Sequence, residues 1–462
     1  MDPAPPFAPP LEAPPPSPEA PGDPPRARMG HRMGRLLLAV GLVGLAVGAF
    51  ASWGYWEEPA GPVLAQGPVG SFPSSPAQPP GGVGGTGAAG GPSGAPRALP
   101  RADAPYDGPA DARSVLAACL PIDARFDCYL DKLEPLLAAR GSEVTYSTLA
   151  DMAAMDSGVD GQSHPMAHVL GAYAYQVYGT IQATLENCSY KVFQGCFHGA
   201  FQAYLTDQPD ITPALVQTMC RIENTFRLYV CLHGLGHGLM LATEGRVNQS
   251  LALCDALGTD YARGSCYGGV FMENLVAYID STQPSAIAGH LHGETYPFMV
   301  DADDPYFPCD VVLEKYKTSC WLIQTSLMLF FNHGDFADIA EKCATLPQPH
   351  YLTCFGSMGR DASAYSARDP QRVVEDCAYA PADGRAQCIH GYIAEVILNY
   401  VDPAMGVRMC KELPPIDKTP CYSEVGTQGW GMVGRDAMVA ICATAETGYE
   451  NACRSAALLP AK

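Results

Sequence analysis

The amino-acid sequence predicts an all-α protein, a disulfide-stapled α/α helical repeat (a solenoid or a curled superhelix) with one N-terminal transmembrane helix. Three observations predict this fold class: an uncharged segment near the N-terminus long enough to cross a bilayer, cysteines that recur in close pairs, and apolar residues spaced three and four apart between them. The predicted parts are a disordered proline-rich cytoplasmic tail (1–35), a transmembrane anchor (36–56), a Gly/Pro-rich linker (57–107) and the repeat ectodomain (108–456).

The anchor is predicted from length and flanking charge. Residues 36–56 carry no charged side chain, and at about 1.5 Å per residue such a helix spans roughly 30 Å, the thickness of a bilayer core. Arginines precede the segment and Glu57 and Glu58 follow it, which places the N-terminus in the cytoplasm and the C-terminal part outside. A cleaved signal peptide is the alternative, because Ala49 and Ala51 form a small-residue cleavage pattern. Both interpretations export the chain beyond residue 57.

Composition excludes one class of partner and indicates a compartment. The 462 residues carry a formal net charge of −20, so a nucleic-acid partner would be repelled and none is expected. All 18 cysteines lie between Cys119 and Cys453, and an even number concentrated in one region favours disulfides formed in an oxidising environment. The ectodomain is therefore expected outside the cytoplasm.

The cysteines form nine close pairs that recur along the chain with a regular period. From Cys188 onward the first members of the pairs stand at positions 188, 220, 254, 309, 343, 377, 410 and 442. The step from 254 to 309 is longer than the others, which are nearly equal. The common step is close to the period of about 34 residues that is typical of a repeated two-helix unit. The pairs are 119 with 128, 188 with 196, 220 with 231, 254 with 266, 309 with 320, 343 with 354, 377 with 388, 410 with 421 and 442 with 453.

One unit of the repeat lacks cysteines. Cys128 and Cys196 are two periods apart, and one period from either of them reaches Gln162. The sequence QSHPMAH that begins at Gln162 aligns with CLHGLGH, which begins at Cys231. Ten units are therefore predicted, and each disulfide is expected to join the end of a first helix to the start of the second.

The period and paired cysteines resemble disulfide-stapled, tetratricopeptide-like α/α repeat proteins of bacterial exported fractions. The resemblance covers most of the ectodomain and implies a binding scaffold. The histidines do not belong to the tetratricopeptide pattern, so the resemblance implies no role for them.

The histidines recur at equivalent positions of neighbouring units. Two residues after the second cysteine, or after Gln162, a histidine stands in four units, and in two of those units another follows four residues later, one helical turn away. Equivalent positions of stacked units line one surface, so the imidazoles are expected to converge on a transition metal ion such as zinc, iron or copper. The predicted ligands are His164, His168, His198, His233, His237 and Glu273. Five histidines are more ligands than one tetrahedral ion can bind. An octahedral iron, a two-metal centre and a haem ligand pair therefore all remain open.

Other polar residues have competing interpretations. The histidines can instead belong to turns, with the glycines of HGLGHG serving close helix packing. His390 and Glu395 can reach the same site only if the superhelix curls back, and Asp361 after Arg360 is expected to form a structural ion pair.

The stretched step of the repeat lies between Cys266 and Cys309. It is interpreted as a lid over the histidines, a calcium-binding loop or a plain solvated loop. Its candidate residues are His290, His292, Glu294, Asp301, Asp303 and Asp304.

Together these features predict a membrane-anchored extracytoplasmic protein that binds a transition metal, with a metal-dependent enzyme as one use of the site. The alternative is an interaction scaffold that binds a protein or peptide on its concave face and has structural histidines.

Overall fold

The computed structural model describes residues 106, 108–122, 125–281 and 297–462, which form nineteen α-helices and no strand. The predicted anchor at 36–56 and almost all of the linker at 57–107 lie outside the described residues. Among the helices that are described, none combines the length and the apolar composition needed to span a bilayer. The predicted all-α class is confirmed.

Most first helices are shorter than the second helices that follow them. In chain order they are α1 (Ala110–Cys119), α2 (Arg125–Arg140), α3 (Ser142–Met155), α4 (Ser157–Tyr178), α5 (Ile181–Asn187), α6 (Gly195–Thr206), α7 (Pro213–Met219), α8 (Thr225–Ala242), α9 (Val247–Cys254), α10 (Asp260–Ser281), α11 (Glu314–Asn332), α12 (Phe336–Ala344), α13 (His350–Tyr365), α14 (Pro370–Cys377), α15 (Ala382–Tyr400), α16 (Pro403–Glu412), α17 (Pro415–Val433), α18 (Arg435–Cys442) and α19 (Glu450–Ala456).

These helices form ten consecutive units, as the cysteine spacing predicts. Nine units consist of a first helix and a second helix, and in the sixth a set of turns around Cys309 replaces the first helix before α11. The second helices from α4 to α19 pack against one another in succession, while each first helix packs on its own partner. The second helices therefore form the core of the array.

All nine predicted disulfides are present, and their Cα atoms lie 5.4 to 5.8 Å apart. One detail of the prediction holds only in the third unit, where Cys196 is the second residue of α6. In the other units the second cysteine lies further inside the second helix. Helix α8 begins at Thr225, and Cys231 lies inside it. The helix starts earlier because the side chain of Asn224 caps it by accepting a hydrogen bond from the Arg227 amide at 2.9 Å.

The array curls back on itself with about five units per turn. Arg368 in the seventh unit forms an ion pair of 3.5 Å with Asp160 in the second. The side-chain amide of Gln194 in the third unit donates to the Leu398 carbonyl in the eighth at 3.1 Å. Asn224 at the start of α8 donates to the carbonyl of Gly431 in α17 at 3.1 Å. These contacts join the second, third and fourth units to the seventh, eighth and ninth.

Candidate metal centre

The five histidines predicted as ligands lie together in the core, on three successive second helices. None has more than 4% of its surface exposed. The four-residue spacing places each histidine pair on one helix face, as predicted. His164 and His168 lie on α4, His198 on α6, and His233 and His237 on α8.

Glycines allow these helices to approach closely enough for the rings to meet. A Cβ atom on Gly199 would lie 1.8 Å from the carbonyl oxygen of His168, and one on Gly269 would lie 2.0 Å from that of His233. No other residue fits these positions without a backbone shift. Within HGLGHG, a Cβ atom on Gly236 would lie 2.2 Å from the carbonyl oxygen of Cys266, so this glycine also serves helix packing, as one interpretation of the segment held.

The histidine nitrogens of α4 and α6 are separated by distances that suit a common ion. Nε2 of His168 lies 2.9 Å from Nε2 of His164 and 3.0 Å from Nδ1 of His198. Two nitrogens bound to one ion at about 2.0–2.1 Å are themselves about 2.9–3.4 Å apart in right-angled to tetrahedral geometry. These three residues form a group that can hold a metal ion. We call it the first triad.

A second group of three forms around α8. Nε2 of His237 lies 3.1 Å from Nε2 of His233, and the ring of His198 stacks on that of His237 with centroids 4.3 Å apart. His198, His233 and His237 also form a group that can hold a metal ion. We call it the second triad, and His198 belongs to both.

Two of the rings form hydrogen bonds to polar side chains through the nitrogen that faces away from the other histidines. Nδ1 of His168 donates to Oε1 of Gln202 at 3.2 Å, and Nδ1 of His237 donates to Oε2 of Glu273 at 2.6 Å. Gln202 also donates from Nε2 to Glu273 at 3.3 Å, which connects the two rings. Metal-bound histidines typically have such a partner, which fixes the tautomer and the ring orientation.

Glu273, which was also predicted to bind the ion, lies behind His237, where its Oε2 contacts the Nδ1 atom. Gln202 was not predicted at all. It stands one repeat period after His168 and one helical turn after His198, so the period carried a signal for it. An amide side chain is not a usual ligand of transition metals, so the metal-ligand pattern alone does not predict it.

These hydrogen bonds assign the proton on His168. Because the Gln202 amide nitrogen donates to Glu273, the oxygen of Gln202 faces His168 and accepts from its Nδ1. Neutral His168 then carries a lone pair on Nε2, the atom that lies within 3.0 Å of two other ring nitrogens. The lone pair on Nε2 can accept a proton shared with a neighbouring ring, or it can bind a metal ion between the rings.

Burial keeps three of the histidines neutral. The pKa values of His164, His198 and His233 are well below the ordinary value, chiefly because burial disfavours the charged ring and further because the neighbouring histidines would repel it. Neutral imidazole is the form that binds metal. These three rings are therefore in the form that binds a metal ion.

A turn between α5 and α6 closes one side of the cluster. Val192, Phe193 and Gln194 have φ angles of 53, 51 and 56 degrees, a left-handed conformation that is rare for side chains of this size. The ring of Phe193 packs against His164 with centroids 5.8 Å apart. This strained turn shields the first triad and also carries the contact from Gln194 to the eighth unit.

The other candidates lie apart from the histidines. His390 belongs to neither triad, and its Nδ1 pairs with Glu424 at 3.0 Å. Asp361 forms the predicted ion pair with Arg360, at 2.7 Å, inside a buried network with Ser326 and Thr325. Glu395 is buried, and burial raises its pKa to about 8.

The insertion is described only in part. His290, His292 and Glu294 lie outside the described residues. Asp301 and Asp304 accept hydrogen bonds from the amides of Asp303 and Tyr306 in tight turns, at 2.9 and 3.0 Å. In the described part of the insertion the aspartates therefore serve turns of the loop.

The chain matches no protein-family model, no curated protein and no solved structure. The nine disulfides indicate an extracytoplasmic or secreted protein.

Proposed function

We propose that this protein is a membrane-anchored, extracytoplasmic helical-repeat protein that binds a transition metal through its buried histidine cluster. The observation that carries the proposal is the convergence of ring nitrogens from three helices at 2.9 to 3.1 Å, with Gln202 and Glu273 behind two of the rings. Zinc, iron and copper ions all accept imidazole nitrogen.

Burial favours particular uses of the ion. All five rings are closed off from solvent, so a macromolecular substrate has no direct route to a bound ion. We therefore favour metal retention, sensing or electron transfer over hydrolysis of a large substrate. The competing interpretation is an interaction scaffold, in which N–H···N hydrogen bonds between neutral histidines replace the metal.

Metal analysis separates the two functions. We expect the full chain, purified without chelator, to contain a stoichiometric transition metal or to take one up from zinc or copper salts. The variants His168→Ala and His237→Ala should each weaken binding at least tenfold, because each removes a ligand whose ring is oriented by a hydrogen bond to Gln202 or Glu273.

The matched control is His390→Ala, which removes a histidine outside both triads and should leave metal binding unchanged. Less than about 0.1 metal equivalent in the wild-type chain, with no uptake from added salts, would exclude the metal function and favour the scaffold.

A further inference from the structure

The histidine cluster is divided into two triads that share one residue. Among the described residues, the ligand atoms that lie within 4.8 Å of one another comprise His164, His168 and His198 on one side and His198, His233 and His237 on the other. They do not form one group of five.

This division argues against a single five-histidine ion. Ligands bound to one ion at about 2.0–2.1 Å lie within about 4.2 Å of one another, even when they are on opposite sides of it. Five nitrogens around a common ion would therefore form one group. Two groups of three match two positions, each with three imidazole ligands.

His198 is placed to serve both positions. Its Nδ1 lies 3.0 Å from Nε2 of His168, in the first triad. Its Nε2 is buried and has no hydrogen-bond partner among the described residues. A polar ring atom in such a position is uncommon, because leaving it unsatisfied costs stability. A second metal ion would satisfy it.

We propose that the cluster is a dinuclear centre that binds two transition metal ions, one per triad, with the ring of His198 bridging them. The proposal rests on the metal-binding function above and extends it. Each bridge nitrogen offers a lone pair to one ion, so the N–H proton of His198 is released to solvent when the second ion binds.

A bridging His198 would set the distance between the two ions and supply part of the negative charge around them. Two metal–nitrogen bonds of about 2 Å, joined through an imidazole ring, place the ions about 6 Å apart. The deprotonated ring and the carboxylate of Glu273 each contribute one negative charge, which compensates part of the charge of two buried cations. Glu273 contacts His237 in the second triad at 2.6 Å, and Gln202 extends this network to His168 in the first.

Stoichiometry tests the proposal on the full chain, loaded with copper(II) or zinc(II) and analysed after removal of excess metal. We expect two equivalents in the wild type. His164→Gln should retain one ion in the second triad, and His233→Gln should retain one in the first. His198→Gln should weaken both positions at least tenfold.

Spectroscopy tests the bridge independently of any variant. Two copper(II) ions joined by an imidazolate are magnetically coupled, so the copper-loaded wild type should lose most of the isolated-ion electron paramagnetic resonance signal. Each one-ion variant should show that signal in full. Far-ultraviolet circular dichroism checks that the variants keep the helical fold, and His390→Gln is the matched control.

The outcomes distinguish this proposal from the one on which it rests. One equivalent in the wild type, lost on substitution in either triad, would overturn the dinuclear centre and leave the metal function intact. Two equivalents with uncoupled copper would overturn the bridge. No bound metal under any loading would overturn both.

Discussion

At the scale of single residues, the polar interior of this protein uses two different arrangements. In the histidine cluster each polar ring has polar neighbours, and the pKa values of three rings are lowered by burial. In the network around Asp361, the carboxylate accepts from Ser326, Thr325 and Arg360 and is fully paired. A buried carboxylate is tolerated in such surroundings because its hydrogen bonds offset its lost hydration.

Glu395 departs from this rule and yields a prediction. Neither of its carboxylate oxygens has a hydrogen-bond partner among the described residues. Burial is the largest cause that raises its pKa from 4.5 to about 8. Because its pKa is higher in the folded protein than in the unfolded chain, Glu395 makes its full contribution to the free energy of unfolding below pH 4.5. That contribution is lost as the pH rises through about 8. Glu395→Gln should therefore become increasingly more stable than the wild type across this window, reaching roughly 2 kcal/mol or more.

Denaturant unfolding at several pH values, with disulfides intact, measures this difference. Glu446→Gln is the control, because a hydrogen bond from Lys418 lowers the pKa of Glu446 and gives the opposite pH trend. A difference between Glu395→Gln and wild type that stays constant with pH would show that Glu395 is ionised in the folded protein.

At the scale of helices, the close approach of backbones decides whether the cluster forms. Helices α4, α6, α8 and α10 touch at glycines, and the five histidines lie on the first three of these helices. The axes of two helices in ordinary contact lie about 8–10 Å apart. Small residues at the crossing points reduce this separation and bring imidazoles from different helices into contact.

Gly199 provides the test at this scale. In Gly199→Ala the new Cβ would meet the carbonyl oxygen of His168 at 1.8 Å, so α4 and α6 must separate. We expect a loss of about 2–3 kcal/mol in the free energy of unfolding and weaker metal binding by the first triad. Calorimetry and metal titration measure the two effects.

The matched control is Gly258→Ala, where a Cβ would meet no atom within 4 Å. Its effect on stability should stay within about 0.5 kcal/mol. Equal stability and metal affinity in Gly199→Ala and wild type would contradict the role of close packing.

At the scale of the whole molecule, the disulfides connect the helices within each unit and the curl brings units that are far apart in the sequence into contact. Each disulfide closes a short loop within a unit, and an isolated loop of this size contributes roughly 2–3 kcal/mol. Contacts between units five apart, such as that of Gln194 with Leu398, then connect successive turns of the superhelix. The histidine cluster lies in the second to fourth units, all of which contact the returning turn.

The compartment of the whole chain is also testable. The proposed anchor at 36–56 follows arginines and precedes Glu57 and Glu58, a pattern that predicts a C-terminus outside the cytoplasm. A reporter that requires disulfide formation, fused after Lys462, should be active in the wild-type chain. A reporter that works only in the cytoplasm should be inactive at the same position, and the reverse result would contradict the proposed topology.

The sequence by itself determined the repeat, its ten units and the nine disulfide pairs. It also determined that His164 shares a helix face with His168, and His233 with His237. These features are local or periodic, and spacing along the chain reports them directly. The cysteine-free unit was recognisable at Gln162 because the period continues through it.

Only the tertiary structure decided how the histidines divide. It placed His198 in both triads, Glu273 behind His237, and Gln202 between the two rings that it connects. It also brought units that are five apart in the array into contact. These outcomes depend on the distance and angle between packed helices, which glycine contacts and side-chain volumes set jointly in three dimensions and which no spacing along the chain encodes.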